Sequence, residues 1–315
     1  FGCSAPSSGP LTDTNSLTRI ATEAEMLGFD YVTVSDHVLI PTDVHSRYPY
    51  TESGEFPSGA GVDRHEQLTM ATWIAAKTSK LRIVTSVMVV PHRPAVLTAK
   101  ILATLDVLSN GRLTLGIGAG WMKEEFEALG TPPFEERGKV TDEYMMACKE
   151  LWEKDAPRFD GKFVKFSNVV FQPKPVQRPI PIWVGGESGP ALRRAAKYAD
   201  GWYPIGTNPQ FPMDTLGRFK AAVARLRAMT EKAGRDPELV TLAYRVSMNP
   251  EAQPRGTVDG QRKLFTGGTA DFSSDIRELA EAGVRAFDFG LFRPTLQETL
   301  GNMRRFREEV IDSVR

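Results

Sequence analysis

Apolar residues recur along the chain in two alternating rhythms. Runs such as Tyr31-Val32-Thr33-Val34, residues 81–90 and Leu113-Thr114-Leu115-Gly116-Ile117 are close to continuously apolar, the pattern of strands covered on both faces. Between them, apolar positions fall at helical spacing. Residues 14–28 place Leu17, Ile20, Ala21, Ala24 and Leu27 on one face and stop at Gly28. The same reading predicts helices over residues 66–78, 94–108, 135–154, 190–198, 213–233, 273–282 and 296–314. Further strands are predicted at 181–184, 201–204, 239–246 and 285–289, and Phe1-Gly2-Cys3-Ser4 reads as the tail of a first strand. Eight strand–helix units in series imply an α/β protein with a closed parallel sheet, a (β/α)8 TIM barrel with insertions in its rim loops. A doubly wound open sheet is the alternative. It would want an early Gly-x-Gly-x-x-Gly turn, and the first strand leads only into Ser7-Ser8-Gly9-Pro10. No low-complexity linker divides residues 1–315, so one domain is expected. Residues 38–65, 155–178 and 247–272 read as insertions, the second carrying a hairpin on an Asp160-Gly161 turn.

Composition narrows the function classes. The 315 residues hold 39 Lys and Arg against 39 Asp and Glu. A neutral balance offers no electrostatic footprint for nucleic acid or an anionic membrane, so neither is an expected partner. Two cysteines, Cys3 and Cys148, supply neither a disulfide framework nor metal-ligand spacing, which suits a reducing compartment. No apolar run approaches the roughly 20 residues of a membrane helix, and no basic region followed by an apolar stretch opens the chain. A cytoplasmic protein is expected. The sequence starts at Phe1 rather than Met, consistent with trimming.

In a barrel, chemistry sits just beyond the strand ends. After the second predicted strand, Asp36 and His37 place a carboxylate beside an imidazole, suited to a proton relay or to orienting a redox ring; the plainer alternative is a turn cap and a surface histidine. The third strand ends in Pro91-His92-Arg93. The fourth runs into Gly116-Ile117-Gly118-Ala119-Gly120-Trp121, where bare backbone could approach something flat with Trp121 beside it. The fifth runs into Gly185-Gly186-Glu187-Ser188 at the start of a helix, where free amides and the helix dipole favour an anion such as phosphate. An ordinary turn capped by Ser188 reads equally from the pattern. The four histidines form no metal motif and none is expected to bind metal. Gly-x-Ser-x-Gly and the NTPase phosphate loop are absent. A barrel with an anion cradle and few acid–base groups suits a bound cofactor that carries the hard chemistry.

These blocks resemble the bacterial luciferase-like flavin and deazaflavin oxidoreductases. The resemblance runs through Ser35-Asp36-His37-Val38, Thr85-Ser86-Val87, Arg93-Pro94, residues 103–112 with their Leu-Asp-x-Leu-Ser-x-Gly-Arg stretch, Gly116 to Trp121, Pro173-Lys174-Pro175, Trp183-Val184-Gly185-Gly186 and Ala199-Asp200-Gly201-Trp202. It is nearest to the subgroup described as F420-dependent oxidoreductases. The resemblance implies a barrel that holds coenzyme F420 or FMN without a covalent link at the C-terminal ends of the strands. By position, Ser86 and Val87 match a bulged third strand with a non-prolyl cis peptide behind the ring. Ala119, Gly120 and Trp121 match the loop flanking the ring and its side chain, and Gly185, Gly186, Glu187 and Ser188 match the phosphate turn. Asp36 and His37 match groups facing cofactor and substrate, His37 as the proton donor or acceptor. Trp121 stands where some deazaflavin sugar-phosphate dehydrogenases carry a catalytic Glu, which points to a more apolar small-molecule substrate. Asp106 and Arg112 are expected to form a buried ion pair. The implied activity is hydride transfer with F420. An FMNH2-dependent monooxygenase using O2 and a non-catalytic flavin-binding barrel are the alternatives. Relatives that dimerise through barrel helices imply a homodimer.

Overall fold

The computed structural model describes residues 1–57, 59, 61–246 and 256–314. Its centre is a sheet of β1 (Gly2–Ser4), β2 (Tyr31–Val34), β3 (Arg82–Thr85, resumed at Met88–Val89), β4 (Leu113–Gly118), β5 (Ile182–Gly185), β6 (Gly201–Tyr203), β7 (Thr241–Val246) and β8 (Val284–Phe289). Each strand pairs in parallel with the next, and β8 returns to β1 through Asp288 beside Gly2 and Phe289 beside Cys3. The predicted (β/α)8 barrel is thus closed, with no free edge. Around it lie α1 (Thr14–Met26), α2 (Gln67–Lys77), α3 (Ala95–Leu108), α4 (Lys123–Leu129), α5 (Arg137–Glu153), α6 (Gly189–Tyr198), α7 (Leu216–Lys232), α8 (Thr269–Glu281) and α9 (Leu296–Phe306). Their starts follow from local chemistry. Asp13 accepts from the amides of Asn15 and Ser16 ahead of α1, and Thr295 with Glu298 forms a capping box on α9.

Strand alternation sorts the side chains into two layers. Val32, Ile83, Leu115, Val184 and Phe289 face the helices in the main core. Tyr31, Val84, Tyr203, Ala243 and Ala286 point into the barrel with Trp183 and Val87 against them. The inward set is small and mixed with polar groups, so the upper barrel is not filled by aliphatic layers.

The third strand is where the predicted run at 81–90 departs from a straight strand. It breaks at Ser86–Val87, whose peptide bond is cis, and resumes two residues later. A Cβ on Gly116 would lie 2.0 Å from the Thr85 carbonyl oxygen, so only glycine lets β4 close against the break. Gly118 and Gly185 likewise leave room for the Val87 side chain, which a Cβ at either position would meet at 2.7 or 2.9 Å.

Several local expectations are corrected. Asp106 and Arg112 do not pair. Asp106 accepts from the backbone and side-chain amides of Gln177, while the Arg112 guanidinium donates to the carbonyls of Ala75, Thr78, Leu81 and Ser109. Arg112 therefore ties off the end of α2, where carbonyls lack helical partners. The Asp160-Gly161 hairpin forms, but its strands Phe159–Asp160 and Lys165–Phe166 are joined by four residues. Glu143 of α5 captures the amides of Lys162, Phe163 and Val164 and holds the loop open. Helix α4 was not predicted. The final helix gives way to a π-helical turn at Arg307–Ile311, which brings consecutive Val310 and Ile311 into the core. Of the insertion expected at 247–272, residues 247–255 lie outside the described residues; the rest contains a small hairpin of Thr257–Val258 and Gln261–Arg262. Among the described residues no helix is long and apolar enough to cross a membrane.

Candidate active site

The loops after β2, β3, β4, β5 and β6 converge on a cleft of about 470 Å³ at the C-terminal mouth of the barrel. Asp36, His37, Ser86, Val87, Trp121 and Gly185 line it, together with Gly186 and Glu187. A neighbouring polar cavity of about 510 Å³ shares Trp121, Gly186 and Glu187 and adds Gly120, Ser188 and Arg137. Ala119 is half-buried beside this loop and lines neither cavity. The residues singled out from the sequence thus gather, with that exception, around one mouth.

Val87 is the floor. The break in β3 turns its side chain into the mouth, over Gly118 and Gly185. Behind it, Ser86 Oγ meets the Tyr203 hydroxyl at 3.0 Å and is contacted by the Arg245 guanidinium. Tyr203 donates to Asp288 at 2.6 Å, and Thr33 donates to the other oxygen of Asp288 at 3.2 Å. Burial pushes the Asp288 carboxyl up, against the pull of Arg245 and these donors. This polar chain along the barrel axis was missed in the sequence. Its members come from β2, β6, β7 and β8 and from the break in β3, and only the inward period of each strand could have hinted at it.

Asp36 and His37 part ways. The Asp36 side chain is fully buried, and both its oxygens receive Arg93, at 2.9 and 2.8 Å, with the Val89 amide at 2.9 Å. It fastens the β2 loop to the resumed third strand. His37 keeps 12% of its side chain exposed and faces the cleft. Its Nδ1 lies 2.8 Å from Glu125 on α4, while Glu125 also accepts from the amides of Val38 and Leu39. Burial alone would raise the Glu125 carboxyl, but the bond to His37, the nearby His92 and the Val38 amide together hold it below the ordinary carboxylate range. Glu125 and α4 escaped the sequence reading because Gly120-Trp121-Met122-Lys123 shows no strong helix start.

An aromatic wall rises over the floor. Tyr48 and Phe56, from the long loop after β2, pack on Trp121 at centroid distances of 5.1 and 5.4 Å, and Phe56 packs on His37 at 5.0 Å. The loop is anchored by Glu124 of α4, which accepts from the amides of His45 and Ser46.

At β5, Gly186 takes φ +95°, and Ser188 caps α6 by accepting from the Ala191 amide. Glu187 directs its carboxyl oxygens to the loop after β6. Its carboxyl accepts from the Ile205 amide at 2.8 Å and from Asn208 at 2.7 Å, linking the β5 and β6 loops. Burial raises it to about 7. A carboxyl raised in the folded state binds its proton more tightly there than in the unfolded chain, so its contribution to stability is lost as pH climbs from the ordinary 4.5 towards 7. Thermal unfolding should show the advantage of Glu187→Gln over the wild type growing between about pH 5 and pH 8. Parallel curves would show that Glu187 titrates as an ordinary carboxyl.

Comparison with known proteins decides the family: the luciferase-like monooxygenase profile matches residues 2–308. The chain belongs to the luciferase-like monooxygenase family. An uncharacterized family relative from Mycobacterium tuberculosis (strain ATCC 25618 / H37Rv) is 33% identical over 304 residues, 96% of this chain and 97% of its own length. The FMNH2-dependent dimethylsulfone monooxygenase of Pseudomonas putida is 33% identical over 207 residues, 64% of this chain and 55% of that one. The solved structure of an F420-dependent secondary alcohol dehydrogenase, in complex with an F420-acetone adduct, superposes with a TM-score of 0.76 at 19% identity, covering 100% of this chain and 98% of its own. That likeness is one of fold. Of these two enzymes, the first depends on FMNH2 and the second on F420.

Proposed function

We propose that this luciferase-like protein is an oxidoreductase that transfers a hydride between coenzyme F420 and a small, largely apolar organic substrate. The observation that carries the reading is the meeting in one mouth of an apolar floor at Val87, an imidazole at His37 and a helix-start turn at Gly185 to Ser188. The residues suit such a cofactor. The cleft lies within the several-hundred-Å³ range of small-molecule sites. Its floor is Val87, seated against Gly118 and Gly185, where any Cβ would collide with it.

When bound, F420 supplies a two-electron hydride donor or acceptor, whereas reduced FMN would supply oxygen chemistry. Val87 and Trp121, which line the same cleft, would bracket a planar ring. The turn from Gly186 to Ser188 and Arg137, which lines the same cavity, would hold an anionic tail. Tyr48, Phe56 and Trp121 exclude water and favour an apolar substrate. His37 exchanges the accompanying proton with substrate through Nε2. Support for F420 comes from the motif resemblance and from F420-dependent structural neighbours. The second reading, an FMNH2-dependent monooxygenase, draws on the dimethylsulfone enzyme's 33% identity.

The test is to titrate the purified protein with F420 and with FMN, oxidised and reduced, in separate experiments. Tighter binding of F420 is expected, and Gly186→Asp should weaken it about tenfold or more by placing an anion at the helix start. Gly186→Ala controls for the strain that any side chain meets at φ +95°. Preferential binding of reduced FMN would overturn the first reading in favour of the second. Unchanged affinity in Gly186→Asp would remove the tail assignment.

A further inference from the structure

The histidine that faces the cleft is not alone. Glu125 lies behind it at the start of α4 with 1% of its side chain exposed, and its hydrogen-bonding capacity is divided unevenly. Oε1 receives the Val38 amide at 2.8 Å and the Leu39 amide at 3.3 Å, which are obligatory donors. Oε2 lies 2.8 Å from Nδ1 of His37. A carboxylate can only accept. The Nδ1 atom must therefore carry hydrogen, and neutral His37 must present a bare Nε2 lone pair to the mouth.

A second histidine borders the same carboxylate. His92 is buried against the edge of Phe126, with Nδ1 3.9 Å from Glu125 Oε1 and neither ring nitrogen hydrogen-bonded among the described residues. Burial lowers its affinity for a proton. Arg64, the remaining charge facing Glu125, lies across the cleft, where burial likewise lowers it. His92 lies on the Oε1 side of Glu125, and Oε2 meets His37.

We infer that Glu125 is a positioning residue which fixes the tautomer and orientation of His37, so that its Nε2 is the atom that gives and takes the proton at the mouth. One and the same ring nitrogen then serves both directions of the reaction. With Nδ1–H locked on Glu125, the ring offers a lone pair when neutral and an N–H when protonated, always at Nε2. Asp36, adjacent in sequence, cannot substitute, since Arg93 and the Val89 amide hold its oxygens.

The catalytic half of this inference rests on the function proposed above; the tautomer half does not. The protein has four histidines, so 15N-histidine labelling of the full chain gives a resolvable set for long-range 1H–15N correlation, without cofactor. In the wild type, His37 should show the bare-nitrogen signal on the nitrogen coupled to both ring protons, namely Nε2. In Glu125→Gln, whose carboxamide turns an N–H towards His37, the bare signal should move to Nδ1. With cofactor and substrate, kcat should fall roughly 10- to 100-fold while KM and cofactor affinity stay close to wild type. Glu125→Asp should restore the wild-type tautomer and part of the rate.

A wild-type His37 bearing hydrogen on Nε2 would overturn the inference whether or not any variant folds. So would a tautomer that moves in Glu125→Gln with kcat unchanged, given a rate loss in His37→Ala. A loss of stability without the tautomer change would reduce Glu125 to a loop anchor. If His37→Ala retains full turnover, the proton role proposed above for His37 fails while the tautomer assignment stands.

Discussion

His37→Ala should lower turnover by about 10²- to 10⁴-fold, the usual worth of a positioned acid–base group, while cofactor affinity stays nearly intact. The split follows from geometry. His37 reaches the mouth from the β2 loop and is held from behind by α4, whereas the floor and the tail turn are built by β3, β4 and β5. Removing the imidazole opens a space beside Phe56 and Trp121 but leaves Val87, Gly185 and Gly186 in place. Steady-state kinetics with a reporter substrate, alongside a cofactor titration, separates the two quantities. Loss of binding and rate together would mean that the ring holds the cofactor rather than moving a proton. Cofactor bleaching by substrate that is absent in the native protein would favour a non-catalytic flavin-binding barrel.

Arg93→Met should be the most damaging single change outside the core, costing about 3–5 kcal/mol because it strands a buried carboxylate. Asp36 is fully buried and bonded twice to Arg93, which also reaches Glu66 at 2.7 Å. Burial works against the Arg93 charge, but Asp36 and Glu66 more than offset it and raise the guanidinium's proton affinity. With Arg93 gone, Asp36 keeps only the Val89 amide among the described residues. Thermal unfolding should show a fall of roughly 10 °C, and the double variant Asp36→Asn with Arg93→Met should recover part of it, since the carboxyl left without its guanidinium is then only the partly exposed Glu66. A fall below about 1 kcal/mol would place the pair among weak surface ion pairs.

The barrel was legible because parallel strands covered on both faces read as plain apolar runs, and the run at 31–34 coincides with β2. The break in β3 was not legible from periodicity. Residues 81–90 read as one strand, and only the motif resemblance marked Ser86 and Val87. Gly116 and Gly185 were visible as glycines, yet the reason for them is a carbonyl and a side chain on a neighbouring strand. The Asp36-His37 pair was found, but sequence adjacency suggested one shared task. The backbone turns the two side chains to opposite sides, one to Arg93 and one to Glu125. Glu125, 88 positions away, could not be matched to His37 by any local pattern.

Helix α4 grips the long loop after β2 twice, through Glu124 on the amides of His45 and Ser46 and through Glu125 on those of Val38 and Leu39. Transplanting residues 38–65 from a relative in order to alter substrate choice would therefore carry over only half of the recognition surface. Chimaeras that exchange the loop together with residues 121–129 should keep their pocket intact, and those that exchange the loop alone should lose it.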